Sequence, residues 1–226
     1  MGTYTIAYFA YAAGQAALAL WAFALVRKER TAWSIALLLP IATVVYDNLM
    51  IALGSFIGFG PLLEVLTIPR FAGHALFTPI WIVAAVGLAI KAGAFSRNRR
   101  SFAVGSWILY ALMVAVGLLN EVISFVGKEV VEGDVIYYTN VGRVFTPPPP
   151  SLTMLLVVLI CGVLVAWRVR WPWMLAGALT VLASQAIRAD AAAFVFINSA
   201  EVLMSASLVA TLAFLQRRTV AEGPPR

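Results

Sequence analysis

The chain has 226 residues, 62% of them hydrophobic and 12% charged, and its mean hydropathy is +0.93. Soluble domains carry about 25% charge, so this composition excludes an ordinary globular domain in water and points to a bilayer as solvent. The net charge of +6 does not indicate nucleic acid, because the basic residues fall in short runs between apolar segments, as membrane topology requires.

A span needs about 20 mostly apolar residues. That rule predicts seven, near 4–26, 31–58, 72–95, 101–125, 151–168, 171–189 and 191–216. The opening "MGTYTIAYFAYAAGQ" lacks the basic n-region of a cleavable signal, and its apolar character runs on to Val26, so it reads as the first span. Between spans two and three, "FGPLLEVLTIPRFAGH" (59–74) is punctuated by Pro61 and Pro69 and is expected as a bent return into span three. After span four, "GKEVVEGDVIYYTNVGRVFTPPPP" (127–150) alternates β-branched and aromatic residues around Glu132-Gly133-Asp134 and predicts a β-hairpin. Glu129, Glu132 and Asp134 read there as solvated loop charges. The four prolines then impose an extended approach to span five. Cys161 is the single cysteine and serves as a small apolar filler.

The segments "RKER", "KAGAFSRNRR", "RVR" and "QRRTVAEGPPR" hold twelve of the sixteen basic residues. Seven spans put all four on one side, and the positive-inside rule makes that side cytoplasmic. The expected fold is therefore an all-α integral membrane bundle of seven transmembrane helices, N-terminus outside and C-terminus cytoplasmic, with an outer β-hairpin loop at about 127–146. Residues 1–218 form one domain and 219–226 a short tail. The expected location is a bacterial plasma membrane.

Depth follows from 1.5 Å per helical residue. Asp47, in "ATVVYDNLMIALG", lies about 24 Å from the cytoplasmic end of span two. Asn120 and Glu121 fall near the outer end of span four, and Glu201 about 15 Å down span seven. His74, Gln185, Arg188 and Asn198 also map to outer halves, whereas the inner halves are mostly Leu, Val, Ala and Ile. Thr43, Asp47, Met50 and Gly54 share one helix face, as do Gly117, Asn120, Glu121 and Ser124, and as do Phe194, Asn198, Glu201 and Ser205. Gly54 and Gly58 offer small-residue helix packing, and Gly117 can do the same.

Simpler roles stand beside functional ones. Arg70 and Arg188 can neutralise Asp47 and Glu121 as structural ion pairs. Asn48, Asn120, Asn198 and Gln185 can serve as hydrogen-bond glue between helices, and His74 as a helix-start residue. Glu201 resists such a role, because no basic residue maps to its depth.

Three buried carboxyls with two or fewer counter-cations leave at least one neutral, and a protonated acid in an apolar chamber is a proton donor. Tyr46 and Asn48 flank Asp47 and can orient it. The rings of Tyr46, Phe77, Trp81, Trp107, Tyr110, Phe194 and Phe196 can stabilise a carbocation. Phosphate loops, diphosphate–magnesium motifs, nucleophile elbows and Cys/His metal sets are all missing from the sequence. The expected ligand is a hydrophobic small molecule, with neither metal nor cofactor and no nucleic acid; the sequence does not set the oligomeric state.

Tyr46-Asp47 late in span two, with Glu201 in span seven, resembles the integral membrane terpene cyclases, the fungal meroterpenoid cyclases and bacterial prenyl-indole cyclases. That family places a glutamate after an aromatic residue in span two and an acid in span seven; here the first is Asp and the second Glu, with Asp190 a rival for the second. The resemblance implies metal-independent, proton-initiated cyclisation or isomerisation of a prenylated, terpenoid substrate. Asp47 or Glu201 would be the acid, and Glu121 or His74 would orient it or take the final proton. Asn120, Gln185 and Asn198 would join the rings in binding substrate. The topology also resembles microbial rhodopsins, but span seven has no lysine for a retinal Schiff base. The alternative function is a proton-coupled carrier, or a receptor for a small hydrophobic or cationic ligand, on that scaffold.

Overall fold

The computed structural model describes residues 1–186 and 191–222, with side chains over 1–185 and 197–219. Among these residues, nine α-helices and one hairpin follow in order: α1 (Thr3–Val26), α2 (Ala32–Ala36), α3 (Leu38–Ile57), α4 (Pro61–Leu76), α5 (Trp81–Lys91), α6 (Arg99–Leu118), β1 (Gly127–Glu132), β2 (Val135–Asn140), α7 (Pro149–Val169), α8 (Trp173–Ala186) and α9 (Ala191–Glu222). Among the described residues, six helical segments are long and apolar enough to cross a membrane: Thr3–Val26, Ala32–Ile57, Pro61–Lys91, Arg99–Ile123, Pro149–Val169 and Ile197–Thr219. Of the predicted sixth span, the described residues show α8, 14 residues that extend about 21 Å.

Prolines explain how these segments are subdivided. The N–H that would bond the carbonyl of Ala36 belongs to Pro40 and is missing, so span two divides into α2 and α3 at Leu37. The bent loop expected over 59–74 is instead helix from Pro61 onward. Pro61 occupies the first turn, where its missing N–H is no loss. Pro69 removes a single ladder bond inside α4, a defect that membrane helices tolerate because neighbouring elements re-satisfy the freed carbonyl. A 3₁₀ turn over Thr78–Ile80 then joins α4 to α5.

α5 is buried along its length from Trp81 to Ala89 and forms the centre of the bundle. It touches α2, α6, α7 and α9. Ala84, Ala85, Gly87 and Ala89 let those neighbours approach closely, which is how helices gain packing energy where lipid is as apolar as their own side chains. α1 packs against α3 and α9, and α8 packs between α7 and α9.

The predicted hairpin is present, with β1 and β2 antiparallel and Glu132 opposite Val135. Gly133 takes the first central position of its two-residue turn with φ 59°, a conformation side chains disfavour. Val135 and Tyr137 pack with Tyr8, Ile51 and Ala52, seating the hairpin on α1 and α3.

Two sequence expectations change here. Gly54 does not serve a helix–helix contact: a Cβ there would collide with the carbonyl oxygen of Ile136, so its absence admits strand β2. Gly58 is the C-cap of α3, at φ 80° with open space around it. Gly117 does pack against a helix, on the backbone of Ala75 in α4.

Candidate functional site

Beneath the hairpin lies a cavity of about 310 Å³, enclosed by α3, α4, the end of α6, the proline strap before α7, α8 and α9. Asp47, His74, Glu121 and Glu201 all line it, and so do Trp81, Gln185 and Asn198. One chamber thus gathers residues from five predicted spans.

Asp47 points inward because it shares the buried face of α3 with Thr43, Val44 and Gly54. Its Oδ1 accepts a hydrogen bond from Arg70 Nε at 2.6 Å, and both side chains are buried. Arg70 also lies 5.7 Å from the Phe71 ring and 5.8 Å from the Tyr137 ring, so the guanidinium is enclosed by π faces as well as by the carboxylate. His74 follows one turn later on the same face of α4. Its Nε2 is 3.9 Å from Asp47 Oδ2, and its Nδ1 is 3.1 Å from Thr78 Oγ1.

Glu121 sits in a π-helical turn, Leu119–Ile123, that ends the α6 segment. Such turns carry an extra residue and recur at functional sites. Its two carboxylate oxygens accept from Arg143 Nε at 2.8 and 2.9 Å. Asn120 holds the turn in place: its Nδ2 donates to Glu121 Oε1 at 3.1 Å, and its Oδ1 accepts from the Phe145 N–H at 2.7 Å. Asn140 closes the same corner by donating to the Asn120 carbonyl.

Glu201, on α9, differs from the other two acids. No Lys or Arg pairs with it among the described residues, and its Oε2 is buried without a hydrogen-bond partner. Asn198, Met204 and Gln185 line the wall around it.

Several predicted ligand-contacting residues lie elsewhere. Tyr46 turns away and donates its hydroxyl to the Leu66 carbonyl at 2.8 Å. Asn48 is fully buried but donates to its own helix at the Val44 carbonyl. Asn120 supports the cavity from behind, and Phe77 is not among the lining residues. Trp107 and Tyr110 pack edge-to-face on each other, and Trp107 lines a different cleft. For Tyr46, Asn48 and Asn120 the reason is shared: residues adjacent in sequence point about 100° apart on a helix, so neighbours of an inward acid face other directions. Of the rings singled out from the sequence, Trp81 lines the cavity. Arg188, Asp190 and the side chains of Phe194 and Phe196 lie outside the described residues.

Arg143 is the residue that sequence reasoning missed. It takes the place expected for Arg188 as the partner of Glu121. A signal existed, because only Arg70, Lys128, Arg143 and Arg188 lie off the basic loops, yet the hairpin strand separated Arg143 from any span. Phe71 and Tyr137 were also missed as lining rings.

Glu129 is exposed, as expected, but the hairpin's other two acids are not free surface charges. Asp134 accepts from the N–H groups of Tyr4 and Thr5 at 2.9 and 3.1 Å and from the Thr5 hydroxyl, capping α1 from across the chain. Those bonds, the Thr5 hydroxyl first, hold its carboxyl below the usual aspartate range. Glu132 is buried, accepts from the Tyr137 hydroxyl at 2.9 Å, and has its titration pushed up by burial.

The chain matches no protein-family model and no curated protein.

Proposed function

We propose that the chain crosses a bilayer with its N-terminus outside and catalyses metal-independent, proton-initiated cyclisation or isomerisation of a prenyl-bearing, terpenoid substrate in this cavity. The orientation is supported by the clustering of basic side chains at the end opposite the hairpin. There Lys91, Arg168 and Arg218 border one hollow, and Lys91 bridges to Glu29 at 2.7 Å.

The observation that carries the catalytic reading is the unpartnered carboxyl oxygen of Glu201 in a chamber whose other two acids each hold an arginine. A carboxylate without a cation is costly at that depth, so Glu201 is the acid that carries a proton. In the proposed step the Glu201 O–H bond breaks and its proton forms a new C–H bond at one alkene carbon, or an O–H bond at an epoxide. The resulting carbocation is attacked by a second alkene or ring of the same substrate. Trp81 offers a face for the cation. The closing proton goes to His74, which lines the cavity with its Nε2 3.9 Å from Asp47 Oδ2, and it must return to Glu201 before the next turnover. The mass of the substrate is unchanged. Asp47, already salt-bridged to Arg70, acts as the anionic partner of His74 and not as the donor.

The test is incubation of purified protein in detergent with farnesyl and geranylgeranyl indoles, phenols and their epoxides, with EDTA present. Chromatography and mass spectrometry should reveal an isomer of unchanged mass. Glu201→Gln should abolish it, with a loss of at least about a hundredfold for a general acid. Full activity in Glu201→Gln would sink the assignment of the donor, and full activity in Asp47→Asn as well would sink the catalytic use of this cavity's acids.

The receptor reading has one observation in its favour: the same Glu201 oxygen could pair with a ligand cation. It predicts a retained amine and no turnover.

A further inference from the structure

A second cleft, of about 340 Å³, opens at the basic end of the bundle, away from the acid-lined cavity. Val83, Val86 and Ile90 of α5 form its floor, Trp33 of α2 one wall and Trp107 of α6 the other. Gly87 builds this shape: a Cβ there would collide with the Trp33 indole, so the bare backbone lets that ring lean on α5. The trough is almost entirely apolar until its end, where Arg99 and Arg100 stand. Both are exposed, and neither joins a salt bridge among the described residues. Among the described residues, no acidic side chain lines the cleft.

We propose that this cleft is a binding site for an anionic phospholipid of the surrounding membrane. Its phosphodiester sits against Arg99 and Arg100, and one acyl chain lies in the trough between Trp33 and Trp107. The occupant follows from polarity and charge together. A free phosphate would leave the apolar trough unused. A zwitterionic lipid would fill the trough but bring no net negative charge to two unpaired guanidiniums. Basic pockets between helices at the cytoplasmic surface are where anionic head groups gain most. The site rests on the bilayer reading of the six long helices and is independent of the catalytic proposal.

The test is native mass spectrometry of the full chain released from detergent micelles doped with phosphatidylglycerol or phosphatidylcholine. One phosphatidylglycerol should be retained about tenfold more tightly than phosphatidylcholine, given two unpaired cations near the surface. The pair Arg99→Gln and Arg100→Gln should remove that preference while leaving the weaker phosphatidylcholine binding in place. Ala103→Trp, which fills the trough, should weaken both lipids. Arg97→Gln, exposed on the same basic segment but outside the cleft, should change nothing. Equal retention of the two lipids, or a preference that survives loss of both arginines, would overturn the site. An equal fall with Arg97→Gln would show general surface attraction and overturn it too. Displacement by inorganic phosphate would reveal an anion site without a lipid and refute the assignment.

Discussion

Arg70 and Arg143 divide the buried acids into two kinds. Each fixes one carboxylate, and Glu201 is left with an oxygen that nothing among the described residues satisfies. A buried pair contributes little net stability, but breaking one side strands the other charge. Arg70→Met should therefore cost about 3–5 kcal/mol, since both partners are almost wholly buried. Arg143→Met should cost less, about 1–2 kcal/mol, because its side chain is 28% exposed and water screens what remains. The double variant Asp47→Leu with Arg70→Met should recover most of the loss. Thermal unfolding in detergent, monitored by circular dichroism, measures all three. A double variant as unstable as Arg70→Met would mean that the pair contributes more than mutual neutralisation.

At the scale of elements, the hairpin is a structural member and not a passive loop. Asp134 caps α1, whose own N-cap residue, Gly2, has no side chain to offer. Because the folded state holds the Asp134 carboxyl below its ordinary value, the stabilisation is present above about pH 4, the unfolded aspartate value, and is lost as pH falls through the folded value. Asp134→Asn should accordingly melt below the native protein at pH 6, and the difference should shrink towards pH 3. A constant difference across that range would show that charge plays no part in the cap. Gly54 makes the second tie: Gly54→Val should push β2 off α3 and loosen the cavity roof, detectable as faster amide exchange in Val135–Asn140 with α6 unaffected.

For the molecule as a whole, the arrangement is two-ended. The hairpin, the acid-lined cavity and the Asp47–Arg70 pair occupy one end; the basic loops and the Trp33–Trp107 cleft occupy the other. Cys161 is buried, so a Cys161→Ala background gives a thiol-free chain for labelling. In intact cells, a membrane-impermeant maleimide should react with a cysteine placed at Lys128 and not with one placed at Arg97. The reverse pattern would invert the proposed orientation, and labelling at both would argue against a bilayer between them.

Much of this was legible in the sequence because the bilayer imposes a coarse rule. Apolar length and the position of Lys and Arg predict spans and ends without any knowledge of packing. The hairpin was legible too, from β-branched alternation about Gly133. Asp47, His74, Glu121 and Glu201 were candidates from depth and helical face alone, and the fold brings all four to one cavity. Pairing was legible only in part: Asp47 with Arg70 was expected and is present, but the partner of Glu121 was not. Whether Glu121 takes Arg143 or Arg188 depends on how a strap between β2 and α7 folds back over a π turn, a contact 22 residues away in sequence. Nor was the inward direction of each ring, since Tyr46 and Trp107 satisfy the same composition rule as Trp81 yet face elsewhere. The sequence alone set which segments are apolar enough for lipid and how far along its segment each acid lies, because those are one-dimensional properties of the chain. The tertiary structure alone decided which cation Glu121 keeps, because pairing needs two distant backbones within about 3 Å of each other's side chains, and only packing sets that distance.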